Sequence, residues 1–166
     1  MTRLLSRSAE NLFWLARYIE RAENLARILD VQETFARDSG GRQDWRMVLV
    51  INADAEAFYK LHTEAVSANV LRFYITERTN PTSIFASVHA ARENARALRP
   101  LISTEMWRQL NMLYNRLLAL KPADVAEEKL SEAEPGSCSS WAMKFRNFAS
   151  SRRVVWSAHS MAAPSW

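Results

Sequence analysis

Glycine is nearly missing from this chain: 3 in 166 residues, with 5 prolines. So few breakers exclude collagen-like and low-complexity designs and disfavour turn-rich β architectures. They also exclude the glycine-rich phosphate loops, because neither Gly-x-Gly-x-x-Gly nor Gly-Lys-Ser/Thr can be written anywhere in the chain. Cysteine is scarcer still. Cys138 stands alone, so there is no internal disulfide and no thiolate metal cage, and the expected compartment is a reducing cytoplasm. Apolar runs such as Met47 to Ile51 are far too short to span a bilayer. The N-terminus has no apolar signal core, since Ser6, Arg7 and Glu10 interrupt it. No membrane association is expected.

What is present describes one ordinary domain. Hydrophobic residues make up 48% and charged residues 24%, which argues against wholesale disorder. A chain of this length buries about two thirds of its unfolded surface. Lys and Arg number 22 against 18 Asp and Glu, a net charge of +4 with a pI near 9.6. That excess suits an anionic partner but is small, and Arg152-Arg153 is the longest basic run.

The apolar spacing predicts an all-α fold, a helical bundle or array of about five helices followed by a poorly ordered C-terminal tail. Leu5, Leu12, Leu15, Ile19, Ala22, Ala26 and Leu29 trace a 3-4 seam along the first helix, with Ser6 or Ser8 as its cap and Gly40-Gly41 as its latest end. A second helix is predicted from Asp44 to about His62; by periodicity alone Met47–Ile51 could be a strand, but no flanking turn pair supports a hairpin. A third covers Glu64 to Arg78, before the Asn80-Pro81 break. Thr82 to Arg99 forms the fourth, stopped by Pro100. The fifth starts at Ser103 as N-cap and runs to Pro122, with Ile102 placed to staple against Trp107. After Leu130 the sequence turns Ser-rich, takes in Trp141, Trp156 and Trp166, and keeps no sustained period. The domain is therefore expected over 1–130 and the tail over 131–166.

Chemistry is sparse. No His-Glu-x-x-His or repeated Glu-x-x-His occurs, and His62, His89 and His159 lie far apart. His89 and Glu93, at i and i+4, are more simply a solvated pair than metal ligands. No Gly-x-Ser-x-Gly elbow exists, and Cys138 has no placeable base. No metal, no cofactor and no catalytic residue is assigned. Nucleic acid is not expected as a partner, because Glu20, Glu23 and Glu93 sit among Arg17, Arg21, Arg27, Arg92, Arg96 and Arg99 and cancel the field that phosphates need.

The remaining candidate is the polar face of the first helix: Glu10, Arg17, Glu20, Arg21, Asn24 and Arg27. Glu10, Arg17 and Asn24 recur every seven residues. Arg17 and Arg21, at i and i+4, repel unless an acceptor stands between them. Glu20, Glu10, another helix or a bound anion can supply it. The face is either a solvated, salt-bridged surface or a charge network, buried between helices or offered to a partner, in which planar Arg forks grip carboxylates.

The stretch LLSRSAENLFWLARYIERAENLARILDV, Leu4 to Val31, resembles the bacterial alpha-E family, an all-helical domain named for its Glu-Arg motif; Glu20-Arg21 would be that motif. Asn80 to Leu117 resembles the family's central helices. The resemblance implies a protein about twice this long with a second Glu-Arg helix near its C-terminus. It also implies genes neighbouring an ATP-grasp-like protein and a transglutaminase-like protease. On that basis residues 131–166, which fit neither the family nor a helical period, are expected to be the non-native end of a truncated or frame-shifted product. Helix one would then lack a packing partner, which favours a homo-oligomer. The implied function is a non-catalytic adaptor or accessory protein of a peptide-modifying system, with ATP-grasp-like and transglutaminase-like partners. The alternative is an enzyme acting on a carboxylate or peptide, with Glu20 as acid/base and Arg17 and Arg21 as an anion clamp.

Overall fold

The computed structural model describes residues 6–40 and 44–120. The stretch read as a tail, 131–166, lies outside them. Among the described residues the fold is all-α, with six helices and no strand.

α1 (Ser6–Asp38) is 33 residues long, roughly 50 Å at about 1.5 Å per residue. It ends where expected. Gly40 takes a left-handed conformation (φ 64°), its N–H reaches the Arg37 carbonyl, and the Ser39 hydroxyl donates to the Phe35 carbonyl at 2.7 Å. Of the predicted seam, Leu5 lies outside the described residues, Leu12 is partly buried against the core, and Leu15, Ile19, Ala22, Ala26 and Leu29 are in it. They pack mainly on α5 (Ile84–Ala97), whose Ile84, Val88, Ala91 and Ala95 are likewise buried. Alanines at positions 22, 91 and 95, all fully enclosed, let the two backbones approach closely.

α5 is capped by Ser83, whose hydroxyl accepts from the Ala86 N–H at 3.1 Å. α6 (Thr104–Ala119) is capped in the same way by Ser103, which accepts from Met106 at 3.1 Å. The amphipathic α6 lays Met106, Leu110, Leu113 and Leu117 against α5.

The single helix expected over 44–62 is two: α2 (Arg46–Ile51) and α3 (Ala55–Tyr59). Met47–Ile51 is helical rather than strand. Asn52-Ala53-Asp54 causes the break. The Asn52 side-chain amide donates to the Val48 carbonyl at 2.8 Å, Ala53 turns left-handed (φ 56°), and the Asp54 carboxylate accepts from the Thr82 hydroxyl at 2.8 Å. α4 (Ser67–Ile75) follows. After it, Asn80 is buried and donates to the Phe73 carbonyl, while its own side-chain oxygen accepts from Thr82. The Asn80-Pro81 break is thus a hydrogen-bonded corner.

An aromatic cluster joins α3 to α4. Phe58 meets Phe73 edge-on at 5.2 Å, and His62 lies 4.9 Å from Phe58. Nε2 of His62 is buried with no hydrogen-bond partner among the described residues. Burial, with a smaller contribution from Arg72, holds the His62 pKa below its ordinary value, against an opposing pull from Glu77. The unfolded chain therefore binds a proton more readily than the folded one. Stability is full above the unfolded pKa and declines as pH falls from about 6.5 toward the lower folded value. Denaturant midpoints measured from pH 7.5 to 5 should fall for the wild type, and the His62→Phe variant should lose that component of the slope.

Candidate functional site

On a helix, residues seven apart share a side. The outer side of α1, opposite its α5 seam, therefore holds three parallel rows: Glu10-Arg17-Asn24-Val31, Phe13-Glu20-Arg27 and Trp14-Arg21-Ile28-Phe35. Every one of the six residues singled out from the sequence, Glu10, Arg17, Glu20, Arg21, Asn24 and Arg27, lies on this side and is exposed. The structure brings them together along one helix face. No second helix among the described residues covers them, so the buried form of the charge network is not the one seen.

Their pairings are local. Arg17 donates to Glu20 at 2.9 Å, with both side chains about 60% exposed (61% and 60%). Arg27 pairs with Glu23, one turn back, as the spacing anticipated. Glu20 is thus the acceptor that relieves Arg17 beside Arg21. Arg21 takes another course and lies over the Tyr18 ring at 5.5 Å. Among the described residues it has no carboxylate partner. Upstream the rings continue, Tyr18 to Trp14 at 5.8 Å and Trp14 to Phe13 at 5.3 Å. Trp14 is 41% and Phe13 57% exposed. Apolar and charged side chains are therefore interleaved on one face.

That face forms one wall of a groove of about 670 Å³. Trp14, Arg17, Arg21, Asn24 and Leu25 stand on the α1 side, and Asn52 and Thr82 face them. Sequence reasoning missed Asn52 and Thr82. Both belong to the polar corners that break the chain at 52–54 and 80–83, and only tertiary packing carries them to α1. No local signal in the sequence marks either residue, since Asn52-Ala53-Asp54 is compatible with a helix interior.

The other polar clusters are paired within the fold. His89 lies between Phe85 (6.4 Å) and Tyr114 (5.8 Å), and Glu93 holds Arg92 and Arg96, so neither residue of that pair faces the other as a ligand set. Arg92 also donates to Asn111 at 2.8 Å and lies 4.8 Å over Tyr114, while Arg99 lies over Trp107, so these arginines tie α5 to α6. A second Glu-Arg dipeptide, Glu77-Arg78, went unremarked in the sequence. Glu77 accepts from the Thr79 backbone and hydroxyl, and Arg78 lies over Phe85, so both close a loop. Of the two dipeptides, Glu20-Arg21 is the one with both residues exposed.

No helix among the described residues is long and apolar enough to cross a membrane. Neither the curated proteins nor the solved structures contain a match to this chain. A family model does match over residues 4–149: Alpha-E, a predicted alpha-helical domain with a conserved ER motif. The match takes in α1 with Glu20-Arg21 and all the helices described above, and it continues past Leu130. With an all-helical fold and an exposed Glu-Arg pair on its longest helix, the chain belongs to the Alpha-E family.

Proposed function

We propose that this chain is a non-catalytic helical adaptor of a bacterial peptide-modification system, acting in the cytoplasm beside ATP-grasp-like and transglutaminase-like proteins. The outer face of α1 is its docking surface. The observation that supports this reading most is the exposure of Arg17, Glu20 and Arg21 on the same side as Phe13 and Trp14. Large exposed aromatics rimmed by Arg are the composition of an interface anchor. The guanidinium forks suit carboxylates on a partner. Among the described residues that line the groove, Glu20 is the one carboxylate, none is a histidine, and the Thr82 hydroxyl already bonds Asp54 and Asn80.

Glu20→Gln and Arg21→Ala test the reading against purified partners. Exposed ion pairs contribute about 1 kcal/mol or less, so both variants should unfold as the wild type does. Arg21→Ala should weaken capture by about 2 kcal/mol, roughly thirtyfold in Kd. The enzymatic reading, with Glu20 as acid/base and Arg17 and Arg21 as the clamp, rests on the three side chains sharing the groove. It predicts the opposite pattern for Glu20→Gln: binding kept and turnover lost.

A further inference from the structure

The α1 wall of the groove changes character along its length, from Trp14 through Arg17, Glu20 and Arg21 to Asn24 and Ile28. From position 14 to position 28 is roughly 21 Å of helix at about 1.5 Å per residue. An extended chain rises about 3.3 Å per residue, so roughly six of its residues match that length. The charged lining is two arginines and one glutamate, a net charge of +1. Arg17 holds Glu20 at 2.9 Å. Arg21 rests on the Tyr18 ring and meets no carboxylate among the described residues. A polyanion would bring its phosphates against the Glu20 carboxylate and gain one uncompensated cation. A ligand with a single carboxylate matches the charge. Asn24 is exposed, and its side-chain amide offers donor and acceptor together, the complement of a peptide unit's C=O and N–H.

We infer that the groove seats an extended acidic peptide segment of about six residues. A large apolar side chain lies on Trp14, an Asp or Glu two residues away pairs with Arg21, and Asn24 bonds the backbone beyond. The inference rests on the adaptor reading and names what that docking face takes from the partner. The two-residue spacing follows from geometry. Positions 14 and 21 are roughly 10 Å apart along the helix. Arg21 leans back over Tyr18, whose ring is 5.8 Å from that of Trp14, and this shortens the gap. In an extended chain residues two apart face the same way and are roughly 7 Å apart, whereas adjacent residues face opposite ways.

Capped hexapeptides with Phe and Glu two positions apart, in either order, are titrated into the isotope-labelled full chain. The expected result is a saturable shift of the Trp14 indole signal and of amides from Trp14 to Ile28, with α6 amides unmoved. Replacing the peptide's Glu by Gln should weaken binding about tenfold. The Arg21→Ala variant should bind the Glu and Gln peptides alike, a result that a merely structural role for Arg21 would not produce. Asn24→Ala should weaken both peptides by about threefold. The inference is overturned by no saturable shift, by shifts centred away from the groove, or by equal binding of the Glu and Gln peptides to the wild type. Equal binding of a peptide with Phe and Glu adjacent overturns it too. Capture of the purified partner by the same proteins separates the two readings. Capture that is lost in Arg21→Ala while no peptide binds sinks the inference and leaves the adaptor reading standing. Peptide binding as described, with no capture, sustains the peptide site and overturns the adaptor reading.

Discussion

Phe58→Ala is expected to lower the unfolding free energy by about 3–5 kcal/mol, the usual cost of removing a fully enclosed aromatic ring. Phe58 has no exposed surface and meets Phe73 edge-on, with Tyr59 and His62 against its other sides. Around it Tyr74 is equally enclosed, and burial pushes its hydroxyl pKa upward, so the phenol stays protonated. The short α3 has little helical stability of its own at five residues. Its place is fixed by this ring. A small domain holds only about 5–15 kcal/mol in total, so the variant should unfold at a much lower denaturant concentration. A cost under about 1 kcal/mol would mean that the cluster can collapse around the void.

Ala91→Phe is expected to act from the other side, by overfilling. Ala91 sits at zero exposure where α5 meets α1, near the equally enclosed Ala22 and Ala95. A ring there has no void to enter, so the helices must separate or the side chain must leave its rotamer, at about 1–3 kcal/mol or more. Because α1 is held chiefly by α5, the same change should shift the outer face relative to Asn52 and Thr82. Chemical denaturation checks the stability loss. Amide shifts along α1 larger than those along α6 check the displacement. A wild-type denaturation midpoint would show that the α1–α5 contact is loose.

The helices that were legible in the sequence are those whose signals are local. α1, α5 and α6 each carry a 3-4 apolar seam, and Ser103 and Gly40 mark ends that the chain itself dictates. The α2–α3 break was not legible. Asn52-Ala53-Asp54 is compatible with a helix interior, and a left-handed Ala53 costs about 1–2 kcal/mol that only tertiary bonds such as Thr82 to Asp54 can offset. The candidate site divides in the same way. Glu10, Arg17, Glu20, Arg21, Asn24 and Arg27 share a face because the helical period puts them there. The sequence left open whether that face met water or another helix, because α1 is apolar on both sides: Leu15 to Leu29 inward, and Trp14, Ile28 and Phe35 outward. The facing wall, Asn52 and Thr82, comes from distant corners of the chain and has no local signature.

The most direct test of the central claim places a photo-activated benzophenone side chain at Arg17 on the outer face of α1 and, in a second protein, at Arg116 on the exposed side of α6. Each is irradiated with the purified ATP-grasp-like or transglutaminase-like partner. The account predicts a covalent adduct from position 17, suppressed by Arg21→Ala, and none from position 116. Adducts from 116 alone, or no adduct from 17 with a well-folded chain, would contradict it.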